Sequence, residues 1–263
     1  MISKNRIKQI LSLQNKKTRD EKRLYIIEGD KLVKEYLLSG LRFRLLAARP
    51  EFIASLLPEE KAFVDEILPA SFDDLKRIST LKTPHNAIGI IPFPTEVTDP
   101  EDIMKDLCVA LDFIQDPGNL GTIIRSAAWF GIRNIVCSED CVDRFNPKVI
   151  QSSMGAILHV NVHYLNLKEF MAIARQNKLL VFGAMINGEP IYDLKLDSKG
   201  VILLGNESKG ISVELVPFIT QRIMIPRSGS PQYGIDSLNV SMAASVIFSE
   251  FARRRSRSPS PCR

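Results

Sequence analysis

A chain of 263 residues with 45% hydrophobic and 25% charged side chains has ordinary globular composition and enough length for two small domains. No apolar run approaches the roughly 20 residues of a membrane-spanning helix. The opening Met1-Ile2-Ser3-Lys4-Asn5-Arg6 lacks the apolar core of a signal peptide, so a cytoplasmic protein with no membrane partner is expected.

The net charge of +5 is unevenly spread: residues 1–49 carry 13 Lys and Arg against 5 Asp and Glu, and the last twelve residues add 5 arginines and no acid. A positive N-terminal fifth on an acidic middle is the footprint of a localised polyanion surface, and RNA or DNA backbone is the natural partner. His85, His159 and His163 are scattered, and Cys108, Cys137, Cys141 and Cys262 show no zinc or redox spacing, so no metal site is expected.

In chain order, residues 4–22 are polar and basic with Ile7, Ile10, Leu11 and Leu13 at helical spacing, and Leu24–Ile27 reads as a strand. Glu28-Gly29 is a turn, and Lys31 to Ser39 carries Leu32, Val33, Tyr36 and Leu37 on one helical face until Gly40 stops it. A βαβ pattern continues through Phe43–Ala48, short elements follow at Phe52–Leu57, Phe63–Ile67 and Phe72–Ser79, and Ala87–Ile91 is a strand closed by Pro92. These elements form an α/β unit over residues 1–95, with Lys4, Arg6, Lys8, Lys16, Lys17, Arg19, Lys22 and Arg23 as candidate RNA-binding residues. The run Pro92-Phe93-Pro94-Thr95 to Asp99-Pro100 is a linker.

A second domain is expected over residues 105–255. Apolar strands at Cys108–Phe113, Ile135–Cys137, Val160–Val162, Leu179–Ala184, Val201–Leu204 and Arg222–Ile225 alternate with helical patterns, which implies a mostly parallel sheet. The Arg/Ser/Pro stretch 256–263 is too polar and repetitive for a packed core and is expected to be disordered.

Three strands end in loops of small polar residues that lead into helices, and the carboxyl ends of parallel strands form the ligand crevice of such sheets. The first loop is Asp112-Phe113-Ile114-Gln115-Asp116-Pro117-Gly118-Asn119-Leu120-Gly121, with Arg125 just beyond as an anion or phosphate ligand. It is neither a dinucleotide fingerprint nor a P-loop. The second is Gly205-Asn206-Glu207-Ser208-Lys209-Gly210, where Glu207 either accepts backbone hydrogen bonds or faces the site. The third follows Ile225-Pro226 and ends in Ser237-Leu238-Asn239-Val240-Ser241 at a helix start. Capping accounts for only one of its three polar side chains, so others are expected to face a ligand.

Read in this order, the loops resemble the three motifs of the SpoU or TrmH family of RNA ribose 2′-O-methyltransferases in the SPOUT superfamily. Motif one is matched by Asn119-x-Gly121-x-x-x-Arg125-x-Ala127-x-x-Phe130-Gly131, motif two by Gly205-Asn206-Glu207 with Gly210, and motif three by Ile225-Pro226 with Ser237-Leu238-Asn239-Val240-Ser241. The basic first domain is similar to the ribosomal-protein-like substrate-binding domain of many members. Ser208 stands where the family usually has glycine, and Arg227–Ile235 lengthens the third loop.

The resemblance implies a knotted α/β domain with helices on both faces of its sheet, an obligatory homodimer, and S-adenosyl-L-methionine as cofactor. Leu204, Gly205, Asn206, Gly210, Ile225, Pro226 and Leu238 would hold the cofactor. Asn119 would orient the first loop, Arg125 handle the ribose and its phosphate, Glu207 shape the second loop, and Ser237 and Asn239 complete the catalytic set. The reaction implied is methyl transfer to a ribose 2′-hydroxyl of RNA, with ribosomal RNA favoured over tRNA. A non-catalytic RNA-binding protein of the same fold and base methylation are the alternatives.

Overall fold

The computed structural model describes residues 2–95, 99–228 and 237–257. Most of the lengthened third loop and residues 258–263 of the expected tail therefore lie outside the described residues. The chain divides into two units, one of residues 1–96 with 143–158 and one of residues 97–142 with 159–263.

The first unit begins with two helices, α1 (Lys4–Ser12) and α2 (Lys16–Lys22), where the sequence periodicity predicts one. The break has a local cause: Asn15 caps the second helix by accepting from the Lys17 amide at 2.9 Å, while Leu13 turns into the core. Then follow β1 (Leu24–Glu28), α3 (Asp30–Leu38), β2 (Leu45–Ala48), α4 (Pro50–Ala54), α5 (Pro58–Ala62), β3 (Ile67–Pro69), α6 (Phe72–Ile78) and β4 (Ala87–Pro92).

The sheet order is β1-β4-β2-β3, with β4 antiparallel to both neighbours and β2 parallel to β3. Alternate strand residues divide between two cores, as the two-residue period requires. Tyr25, Ile27 and Leu46 pack with α3 on one face, and Ile26, Leu45 and Ala47 pack with Ile7, Ile10, Leu75 and Ile78 on the other.

Residues 143–158 join this unit although they lie within the stretch expected for the second domain. Their short helix α9 (Pro147–Ser153) and Phe145 supply the attachment. Phe145 stacks on Tyr25 at 4.4 Å and on Phe93 at 4.3 Å between ring centroids, and Ile150 is buried in the same cluster. Asp143 pairs with Arg19 at 2.5 Å.

The second unit contains α7 (Pro100–Ile103), β5 (Leu107–Leu111), α8 (Pro117–Trp129), β6 (Asn134–Cys137), β7 (Asn161–Tyr164), α10 (Leu167–Gln176), β8 (Val181–Pro190), β9 (Gly200–Leu204), β10 (Gln221–Met224) and α11 (Val240–Arg257). Its six-stranded sheet has the order β10-β8-β9-β5-β6-β7, and every neighbouring pair is parallel. The central strands β5 and β9 are buried throughout, which explains their uninterrupted apolar runs. Val181 packs with α7 and α10 on one face, and its neighbour Phe182 meets Phe251 of α11 edge-on at 5.0 Å on the other, so helices cover both faces. Parallel pairing brings the carboxyl ends of β5, β9 and β10, from which the three polar loops depart, to one edge of the sheet.

Candidate active site

The first loop is built on a buried acid. Asp112 is 5% exposed, and its Oδ2 accepts from the Ser212 amide at 2.6 Å, tying the end of β5 to the chain beyond the second loop. Phe113 sits in the left-handed region at φ 59°, a conformation that costs roughly 1–3 kcal/mol in a residue with a β-carbon. Its amide donates to Ser138 Oγ at 3.0 Å and its carbonyl accepts from Asn206 Nδ2 at 2.9 Å, which hold it there. Asp116 then caps α8 by accepting from the Asn119 amide at 2.9 Å.

The second loop closes on itself. Asn206 and Gly210 exchange backbone hydrogen bonds at 3.0 and 2.9 Å, and Asn206 Oδ1 accepts the amides of Ser208 and Lys209. A Cβ at Gly205 would lie 2.3 Å from the carbonyl carbon of Gly210, so only glycine fits, and Gly210 itself needs φ +69°. Asn206, expected to touch the cofactor, uses its side chain to brace both loops. Ser208 is not among the described non-glycine residues with positive φ, so the turn accommodates a side chain at that position.

At the third loop Asn239 caps a helix and bridges to the first loop. Its Oδ1 caps α11, accepting from the Ser241 amide at 3.0 Å and the Ser241 hydroxyl at 2.6 Å, while its Nδ2 donates to Asn119 Oδ1 at 3.0 Å. Asn119 Nδ2 donates in turn to Glu207 Oε1 at 2.6 Å, a charge-assisted bond. Glu207, Asn119 and Asn239 thus form one hydrogen-bonded row that ties the three loops together.

The remaining expected site residues are more peripheral to that row. Arg125 is exposed on α8, roughly 9 Å further along the helix axis than Asn119. Ser237 and Leu238 are exposed, Leu238 to 52%. Ile225 and Pro226 follow the last ladder pair of β10, Met224 with Pro190, and Gly205 follows the last pair of β9, Leu204 with Leu111.

Sequence reasoning missed four supports: Asp112, Asp116, the strained Phe113, and Lys209, whose ammonium lies 4.8 Å from the Phe113 ring centre. It also missed Cys141. That thiol receives the Ile114 amide at 3.1 Å, and its hydrogen bond with Cys137 brings its pKa down to about 7 against the opposing effect of burial. Cys108, buried in β5 without such help, is pushed up to about 12. An acid ending an apolar strand was the legible sign for Asp112, and an acid just before Pro117 at a helix start was the sign for Asp116; Phe113 and Lys209 depend on residues distant in sequence.

In the first unit, Lys4, Lys8, Lys16, Lys17, Lys22 and Arg23 are exposed. Arg6 is half-buried and paired with Glu66, and the Arg23 guanidinium lies 4.7 Å from the centre of the Phe93 ring. Arg19 corrects the expectation of an RNA-facing charge. It is 1% exposed, and its guanidinium is consumed by Asp143 and by the carbonyls of Leu13 at 3.0 Å and Gln14 at 2.8 Å. No RNA phosphate can reach it without unfolding that corner.

Comparison with known proteins places these features in a family. Residues 106–249 match the model of the SpoU rRNA Methylase family, and residues 4–89 match the MRM3-like substrate binding domain. The chain is 27% identical over 253 residues to the Bacillus subtilis 23S rRNA (guanosine(2553)-2′-O)-methyltransferase RlmP, covering 92% of this chain and 98% of that protein. A protein of the TrmH family from Porphyromonas gingivalis superposes with a TM-score of 0.85 at 37% identity, over 97% of this chain and 99% of that one. An AdoMet-bound rRNA methyltransferase from Sinorhizobium meliloti superposes with a TM-score of 0.84 at 28% identity, over 97% and 96%. The three motif loops, the parallel sheet that carries them and the matched residues together make this chain a member of the SpoU rRNA Methylase family.

Proposed function

We propose that the protein transfers a methyl group from S-adenosyl-L-methionine to a ribose 2′-hydroxyl of RNA, with ribosomal RNA as the substrate. The observation that carries this reading is the row Glu207–Asn119–Asn239, which joins the three motif loops at the carboxyl edge of the sheet. The B. subtilis relative, named for 2′-O methylation of 23S rRNA, supports the ribose and the ribosomal substrate.

The residues present fit the cofactor. Main chain beyond the ladders at Gly205, Ile225 and Pro226, with the half-exposed apolar side chain of Leu238, offers what an adenine and a thioether chain require. Leu204, Gly205, Gly210, Ile225, Pro226 and Leu238 would hold it, with Asn206 bracing the second loop beneath. When bound, the sulfonium supplies an electrophilic methyl group for in-line displacement.

The chain's own part is positioning. Asn119 keeps Glu207 and Asn239 in register, and rigid spacing of this kind converts an encounter into a near-attack geometry. Arg125 clamps the phosphate beside the target ribose. A guanidinium with a pKa above about 12 keeps its proton, so its work is orientation and charge neutralisation rather than proton removal. Ser237 and Asn239 face the ribose hydroxyls. The exposed lysines of α1 and α2 hold the RNA backbone in a salt-dependent manner.

Family membership supports a knotted chain in the second unit and a homodimer. Trp129, 84% exposed on α8, and Met242, 59% exposed on α11, give those neighbouring helices apolar surface for a second copy. Sedimentation at micromolar concentration should find a dimer, and a monomer would remove it from the proposal.

The deciding experiment is transfer of labelled methyl from S-adenosyl-L-methionine to RNA from cells lacking this protein, followed by nucleoside analysis. A labelled 2′-O-methylnucleoside is the expected product. A ring-methylated base would replace the ribose assignment, and absence of both label and cofactor binding would leave a non-catalytic RNA-binding protein.

A further inference from the structure

In the first unit, β2 and β3 run parallel, and their carboxyl ends border an open hollow of about 350 Å³ lined by Arg49, Glu51, Pro69, Ser71 and Phe72 among others. The hollow has a fixed floor. The Arg49 amide donates to the Asn86 carbonyl at 2.8 Å, the Ala70 amide donates to the Ala48 carbonyl at 2.9 Å, and Ser71 is locked in the capping box of α6.

Phe72 is 44% exposed on its wall. The helix that carries Phe72 buries Leu75 and Ile78 instead, so the ring belongs to neither core of the unit. Arg49 is held by Glu51 through Nε and Nη2, each at 3.3 Å. A guanidinium has five N–H donors, and the hydrogen bond of this pair, from Nη2 to Glu51 Oε1, uses one, so the group keeps donors to spare.

An aromatic face beside an oriented guanidinium, in an open hollow within the size range of small-ligand sites, matches the stacking-plus-phosphate chemistry by which proteins take unpaired nucleotides. We infer that the hollow binds one unpaired nucleotide of the RNA substrate, its base against Phe72 and its phosphate on Arg49. This inference rests on the reading of the first unit as an RNA-substrate domain. It adds a base-stacking site to the sequence-independent attraction of the lysines on α1 and α2.

The test uses the full chain and two fluorescein-labelled probes, a mixed-sequence 12-nucleotide single strand and the corresponding RNA duplex. Phe72→Ala should weaken single-strand binding about 5- to 100-fold while leaving duplex binding and S-adenosyl-L-methionine binding unchanged. Phe72→Trp, which keeps a stacking surface, should stay within about threefold of the parent. Ultraviolet crosslinking of the unsubstituted chain to the single strand, followed by peptide mapping, should find Phe72 and needs no variant to fold.

Phe72→Ala binding within twofold of the parent, or crosslinks that avoid Phe72, would overturn the inference. If Lys16→Glu with Lys17→Glu still weakened both probes, the RNA-domain reading would stand without the hollow. If the unsubstituted chain bound neither probe, that reading would fall and the hollow's role with it.

Discussion

Asn119 donates one hydrogen bond to Glu207 at 2.6 Å and accepts another from Asn239 at 3.0 Å, so one amide joins residues 88 and 120 positions away in sequence. The amide offers a donor and an acceptor on separate atoms, and both are used here. Asn119→Asp would set two carboxylates face to face and lose the donor. Single-turnover methyl transfer should fall by at least about 100-fold, and a loss below threefold would show that the row does not position the reaction.

Arg125 stands apart from the row, and its substitution should separate catalysis from cofactor binding. Arg125→Ala should abolish turnover while S-adenosyl-L-methionine affinity, measured by calorimetry, stays within about threefold. Near-normal turnover would remove the phosphate clamp. Arg125→Lys should recover only part of the rate, because an ammonium cannot make the two parallel bonds of a guanidinium.

Arg19 should behave as a structural residue. Removing it leaves Asp143 with 11% of its side chain exposed and no cation, and breaking a buried pair in this way costs about 3–5 kcal/mol. Urea unfolding of Arg19→Ala should show that loss, while RNA affinity measured where the variant is still folded should match the parent. The reverse pattern, full stability with weakened RNA binding, would restore Arg19 to the RNA surface.

The Cys141 thiol gives stability a pH dependence. Its folded pKa is lowered to about 7 from an ordinary value of 9.0, with the Cys137 hydrogen bond the largest cause. A depressed pKa means the folded state releases its proton more readily than the unfolded chain. Its contribution is therefore fully present above about pH 9 and is lost as pH falls through about 7. Urea midpoints should rise from pH 7 to 9 in the parent and rise less in Cys141→Ala; equal slopes would assign the effect elsewhere.

The loops were legible because their chemistry is local. Glycines, short amides and a proline interrupt apolar runs at Leu111, Leu204 and Met224, and those interruptions are the site. Strand positions in the second unit were legible for the same reason. What stayed hidden depends on distant partners. The charge pattern of α2 cannot distinguish Lys16, which faces water, from Arg19, whose carboxylate partner lies 124 residues away. Likewise nothing near Phe145 announces that its ring will stack on Tyr25.

Residues 143–158 make the boundary between substrate recognition and catalysis discontinuous along the chain. A cut near residue 95 strands Phe145 and Ile150 without their apolar neighbours and Asp143 without Arg19. Exchanging the first unit of this chain for another therefore calls for transplanting two segments together. Their co-inheritance as a stitched pair would restrict how freely such modules recombine.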